Sequence, residues 1–158
     1  MSGIKRLSKE LISLKDYSEF SCNPKKDNFL HWDILIFGPL GTIYENGIFK
    51  AEMIFDTNYP IKAPKFKFIS EITHPNIYQD GRVCISILHE GQDVYQYEKM
   101  SERWNPQQGV ASILLSIISM LNEPNFESPA NVDASVLWKK DFDKIKKIVF
   151  KQVEKTFI

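Results

Sequence analysis

From Ile48 to Phe55 the side chains alternate in character: Phe49, Ala51, Met53 and Phe55 fall on one side, Ile48, Lys50, Glu52 and Ile54 on the other. A two-residue period marks an extended strand, because successive side chains of a strand point to opposite faces. One face is wholly apolar and the other mixed, which requires a sheet packed on one side only. The flanking segments agree. Phe29–Phe37 is an apolar and aromatic run stopped by Gly38-Pro39 and Gly41, Asn46-Gly47 is a hairpin-like pair, and Phe66 and Phe68 alternate with Lys65 and Lys67. Strands joined in this order make an antiparallel meander.

Elsewhere the period is helical. Ile4, Leu7, Leu11 and Leu14 recur at steps of three and four, which predicts an amphipathic helix from Ile4 to about Glu19. Asn105-Pro106-Gln107-Gln108 offers a capping asparagine, a proline at the first helical position and a glutamine three residues after the cap. Val110, Ile113, Leu114, Ile117, Ile118 and Leu121 then form the stripe of a core helix, stopped by Glu123-Pro124-Asn125. A short helix is expected over residues 130–139 and a last one over 140–157, with Phe142, Ile145, Val149 and Val153 inward. Residues 20–28, with Pro24 and two lysines, are expected to be a loop in which Cys22 is a bystander.

A chain of 158 residues suffices for one domain with a substantial core, so residues 1–158 are taken as one unit. No apolar run reaches the length of a membrane span, and the polar start lacks a signal-peptide core, which argues against direct membrane insertion. Formal net charge is zero, so nothing global points to nucleic acid. Charge is uneven, however. Seven lysines against three acids occupy residues 139–158, and four acids against Lys99 and Arg103 occupy 89–103; solvated faces are the plain reading of both. Two cysteines, Cys22 and Cys84, make no disulfide framework and suit a free thiol in a reducing compartment such as the cytoplasm. His31, His74 and His89 show no metal-ligand spacing with either cysteine, so no metal is expected.

The chemistry concentrates in residues 74–88. Proline disfavours the helical region for the residue before it, so His74 is expected to be extended ahead of Pro75. Asp80-Gly81 marks a tight turn. Cys84 follows three residues later, close to Asn76. A thiolate is a nucleophile suited to acyl transfer through a thioester. Asn76 either offers its amide to the oxyanion formed on attack or braces the turn. Taken alone, a cysteine in an apolar run is a buried small hydrophobe.

His74-Pro75-Asn76, then Cys84, then Trp104-Asn105-Pro106 resembles the signature of the ubiquitin-conjugating enzymes, whose His-Pro-Asn stands eight residues before the active cysteine. The resemblance runs from about Ile4 to the C-terminus. It implies an α+β fold: an N-terminal helix, a four-stranded antiparallel meander sheet, a core helix and C-terminal helices. It makes Cys84 the thioester nucleophile, with Asn76 and Ser128 catalytic and with Glu127 a second carboxylate near the attacking lysine. His74 turns into the fold beside Pro75. Lys5 and Arg6, Ile61 and Pro64 in the Tyr59–Pro64 loop, and Asn105 and Pro106 would meet the activating enzyme and the ligase. The partners implied are ubiquitin, a ubiquitin-activating enzyme, a ubiquitin ligase and lysine-bearing substrates. No cofactor is bound, ATP being used upstream by the activating enzyme.

Residues 89–103, from His89 onward, are longer than the usual connection and resemble a subgroup with an acidic insertion beside the active cysteine, including members acting in endoplasmic-reticulum quality control. That implies work at the endoplasmic reticulum surface or in the nucleus as well as in the cytoplasm. The chain departs from the family in three places. The proline pair after the first helix is missing, Ala63 replaces a proline, and Gln92-Asp93 stands where the subgroup carries paired aspartates, leaving Asp93 as the loop's candidate carboxylate. A conjugator for another ubiquitin-like modifier and a thiol hydrolase using His74 or His89 remain rival readings.

Overall fold

The computed structural model describes residues 3–90 and 102–158. Helix α1 (Gly3–Leu14) is followed by β1 (Phe20–Lys25), β2 (Asn28–Phe37), β3 (Ile48–Ile54) and β4 (Lys65–Phe68), and then by α2 (Val110–Asn122), α3 (Val132–Lys140) and α4 (Phe142–Lys155). The four strands pair antiparallel in the order β1-β2-β3-β4. Register follows the hydrophobic pattern: Ile34 faces Ala51 and Ile36 faces Phe49, while Ala51 faces Phe68 and Met53 faces Phe66, all on the buried side. Asp33 and Glu52 meet on the outer side, where Lys25 lies 3.4 Å from Asp33 and His31 Nε2 lies 3.0 Å from Glu52.

The apolar face of the sheet and the buried stripe of α2 (Val110, Ile113, Leu114, Ile117, Met120, Leu121) belong to one core cluster, joined by Leu7 and Leu14 of α1 and Ile145, Val149 and Val153 of α4. The expected layering is therefore present.

Several local expectations change. Residues 20–25 are strand β1, paired with β2 through Phe20–Ile36 and Cys22–Ile34, although Pro24 sits within it. Proline is tolerated there because β1 is the edge strand of the sheet, with no neighbour on its other side among the described residues. Helix α1 ends at Leu14, five residues early, and Ile4 is 55% exposed. Asn46-Gly47 does not form a two-residue hairpin but closes the ten-residue β2–β3 connection, with Asn46 at φ 72°. Phe142 is exposed; it packs edge-on against Trp138 where Asp141 breaks α3 from α4 and caps the latter. No helix among the described residues is long and apolar enough to cross a membrane.

Candidate functional site

The segment after β4 is shaped by one glycine. Gly81 has φ +97°, and a Cβ there would collide with the carbonyl oxygen of Phe68, while Gly81 O accepts the Phe68 N–H at 2.9 Å. Asp80 accepts the Arg82 backbone N–H at 3.0 Å and its Nε at 2.7 Å, so the predicted Asp-Gly turn holds. Its carboxyl is held below the usual range by those bonds. Single bridges, Lys67–Arg82 and Ile77–Val83, then tie the chain to β4 and to itself. After Cys84 the apolar run does not continue as a strand: Ser86–Leu88 closes into one 3₁₀ turn.

Each residue of the His-Pro-Asn tripeptide fastens a different part of the structure. His74 is fully buried; its Nε2 donates to Met120 O at the end of α2 (2.8 Å), and its Nδ1 accepts the Asn76 N–H (2.9 Å). Desolvation holds its pKa down to about 4, against a smaller upward pull from the Met120 carbonyl. Pro75 O accepts the N–H of Asn131, which caps α3 through its own side chain. The Asn76 amide is 2% exposed and pairs at both ends with the Asn125 backbone: Nδ2 donates to Asn125 O and Oδ1 accepts Asn125 N–H, each at 2.8 Å. Asn76 O accepts the Cys84 N–H at 2.9 Å. Of the two roles left open for Asn76, bracing is the one its hydrogen bonds display.

The Cys84 side chain is partly exposed and opens onto a cleft of about 1020 Å³, lined also by Asn76, His89, Glu127 and Ser128. The sequence-predicted group is thus brought together, with two exceptions. His74 lies beneath the cleft with both ring nitrogens engaged and cannot serve as the base of a thiol hydrolase. Asp93 falls outside the described residues.

Sequence reasoning overlooked the polar floor. Ser112, Ser116 and Ser119 of α2, with Glu123, line the cleft opposite the helix's core stripe. Their spacing of four and three residues was the available signal. Cys22, by contrast, sits on β1, where burial pushes its thiol up to about 12.

The expected partner-facing residues differ in exposure and contacts. Lys5 is exposed and Ile61 is 74% exposed. Arg6, expected to face outward, is half-buried, and its guanidinium donates to Pro106 O and Gln108 O and lies 5.5 Å from the Tyr59 ring centre. Pro64 is buried under its loop, so it shapes that loop instead of presenting itself. Pro106 is exposed, and Asn105 Oδ1 accepts the Gln107 N–H in a local turn. The helix expected from Asn105 begins only at Val110, with Gly109 as its cap and Ser112 Oγ accepting the Gly109 N–H.

A four-stranded meander backed by a core helix, with a reachable thiol at the rim of an open cleft, defines a cysteine-based group-transfer protein. A model of the ubiquitin-conjugating enzyme family matches residues 6–153, and the chain belongs to that family. It is 46% identical to ubiquitin-conjugating enzyme E2 G2 of Homo sapiens, across 90% of this chain and 93% of that protein. It is 45% identical to ubiquitin-conjugating enzyme E2-18 kDa of Schizosaccharomyces pombe (98% and 95%), and 53% identical to ubiquitin-conjugating enzyme E2 13 of Arabidopsis thaliana (82% and 78%).

Proposed function

We propose that Cys84 takes the C-terminal acyl group of ubiquitin from an activating enzyme as a thioester and passes it to a lysine amine, with a ligase bound. The observation that carries this reading is the partly exposed Cys84 thiol lining a cleft whose wall includes Asn125, which Asn76 fastens in place. Loading exchanges one thioester for another, so positioning decides its rate. The Cys84 sulfur attacks the incoming carbonyl, the activating enzyme's thiol leaves, and no cofactor has to be held by the protein. ATP is consumed upstream.

Discharge is the harder step. A free lysine amine has a pKa of about 10.4 and must lose a proton before it attacks. Desolvation in the cleft favours the neutral amine, and a carboxylate within reach accepts the proton. Glu102, Glu123, Glu127 and Ser128 line the same cleft as the thiol, and Asp93 in the inserted loop is a further candidate. Residues 1–158 act as one catalytic domain in this reading. The resemblance of 85–104 to the subgroup with an insertion supports a role in protein degradation, including endoplasmic-reticulum quality control, with cytoplasmic protein recruited to that surface or to the nucleus.

Incubation with ubiquitin-activating enzyme, ATP and ubiquitin is expected to give a reductant-labile conjugate that collapses on addition of lysine. Parallel reactions with other ubiquitin-like modifiers and their own activating enzymes test the rival conjugator, and loading by one of those alone would overturn ubiquitin as the cargo. Release of free ubiquitin without lysine transfer would instead indicate hydrolysis.

Asn76→Ala is expected to slow lysine transfer more than loading. It frees the wall that carries Glu127 and Ser128 and leaves the Asn125 N–H and C=O unpaired, costing about 1–3 kcal/mol of stability. Single-turnover rates for the two steps, measured alongside urea denaturation, check this. Equal losses in both steps would reduce Asn76 to a structural brace.

A further inference from the structure

Helix α2 does not cap its own N-terminus with the Asn105-Pro106 pair. Beside the Gly109 cap, α1 contributes an acceptor to the first turn: Glu10 Oε1 accepts the Val110 N–H at 2.9 Å across a hundred residues of sequence. Gly109 makes this approach possible, because a Cβ there would collide with the same carboxylate oxygen. The second oxygen, Oε2, accepts the Tyr59 hydroxyl at 2.6 Å and lies 3.4 Å from Arg6 Nε. Arg6 in turn holds the carbonyls of Pro106 and Gln108. One side chain therefore joins α1, the Tyr59–Pro64 loop that presents Ile61, and the first turn of α2.

The far end of α2 is fastened just as directly. Met120 O accepts from His74, His74 accepts from the Asn76 N–H, and Asn76 O accepts from the Cys84 N–H. Between these two ends, Ser112, Ser116 and Ser119 line the Cys84 cleft. A helix is stiff along its axis, so it acts as a strut with Glu10 at one end and the nucleophile's backbone at the other. Contiguity alone does not establish coupling, which requires a change at one end to alter behaviour at the other.

We propose that Glu10 is a positioning residue for thioester chemistry: it fixes the strut, and hence the cleft around Cys84, to the surface formed by α1 and the Ile61 loop. The proposal rests on the reading of Cys84 as the acyl carrier and of that surface as the docking site. A partner gripping α1 and Ile61 thereby holds the cleft in its reactive geometry. Glu10 touches no reacting atom and acts through α2 and through its bond to the Tyr59–Pro64 loop.

Loading by ubiquitin-activating enzyme separates the possibilities, because docking and transfer are read in different parameters. The wild type, Glu10→Gln and Tyr59→Phe are compared well below their melting temperatures. Glu10→Gln keeps the shape but loses the charge and one acceptor, and Tyr59→Phe cuts only the link to the loop. For Glu10→Gln, kcat is expected to fall about fivefold or more, since small misplacements near a reacting centre are costly, while KM for this protein stays within about twofold. Tyr59→Phe is expected to fall about twofold in kcat, with KM unchanged, because the Glu10–Val110 bond survives. A raised KM with unchanged kcat in both variants would make Glu10 part of the docking surface and overturn the proposal. So would a lowered melting temperature with both kinetic parameters intact, which would leave a purely structural contact. Should Glu10→Gln fail to fold, Tyr59→Phe alone decides between these outcomes. Failure of the wild type to load at all would strike the acyl-carrier reading, a result distinguishable from either.

Discussion

Cys84→Ser is expected to abolish lysine transfer and to replace the reductant-labile ubiquitin conjugate with a reductant-stable oxygen ester, or with none. The change swaps sulfur for oxygen on a partly exposed side chain that opens onto the cleft, so stability is expected to move by only about 0.5 kcal/mol. Reactivity changes far more, because a serine hydroxyl is a weak nucleophile without an adjacent base, and the one buried histidine nearby is already committed at both ring nitrogens. Gel analysis with and without thiol reductant reads the result. Cys22→Ser supplies the control. Burial pushes the Cys22 thiol up to about 12, so it stays protonated at neutral pH, and its loss is expected to leave the conjugate unchanged. A labile conjugate that persists in Cys84→Ser and vanishes in Cys22→Ser would move the chemistry to β1.

The second large effect concerns acid. His74 is fully buried, and its folded pKa is depressed to about 4 from an ordinary value near 6.5. The unfolded chain therefore binds a proton that the folded protein refuses over the interval between these values. The stabilisation this gives is fully present above about pH 6.5 and is lost progressively as pH falls toward 4, amounting to about 3 kcal/mol. Urea denaturation at pH 7.5, 6, 5 and 4.5 should show this decline. The exposed carboxyls of Glu71 and Asp80 are also shifted downward, so their contributions are lost at lower pH still. His74→Gln, which keeps an amide donor, is expected to be about 1–3 kcal/mol less stable at pH 7.5 and to lose most of the slope. A flat wild-type profile would mean that the imidazole is not held neutral.

Much of this architecture was legible because hydrophobic period is a local property. The alternation through β3 dictated which face is buried, and the α2 stripe identified the helix that shares the core. Asp80-Gly81 foretold its turn because only glycine fits there. The failures share a physical origin in tertiary contacts. Residues 20–25 carry a proline and looked like a loop, yet pairing with β2 at a sheet edge makes them a strand. Asn105-Pro106 had the chemistry of a helix start, but the helix begins at Val110, after Gly109 as its cap, with Glu10 of α1 accepting the Val110 N–H. Phe142 had the right spacing to be buried, yet the break at Asp141 set it on the surface. The cleft was legible in its thiol and its tripeptide. Its serine floor was not, because small polar residues opposite an apolar stripe look like ordinary solvent-facing positions.

Strand order carries one more consequence. All four strands lie within residues 20–68, and each pairs with its neighbour in the chain, so the pairing of the sheet needs nothing from the sequence after Phe68. The helix stripe that shares its core runs only from Val110 to Leu121. Until that stripe docks, Trp32, Ile34, Ile36, Phe49, Met53 and Phe66 lack part of their cover, so a chain cut short before Val110 is expected to be prone to aggregation.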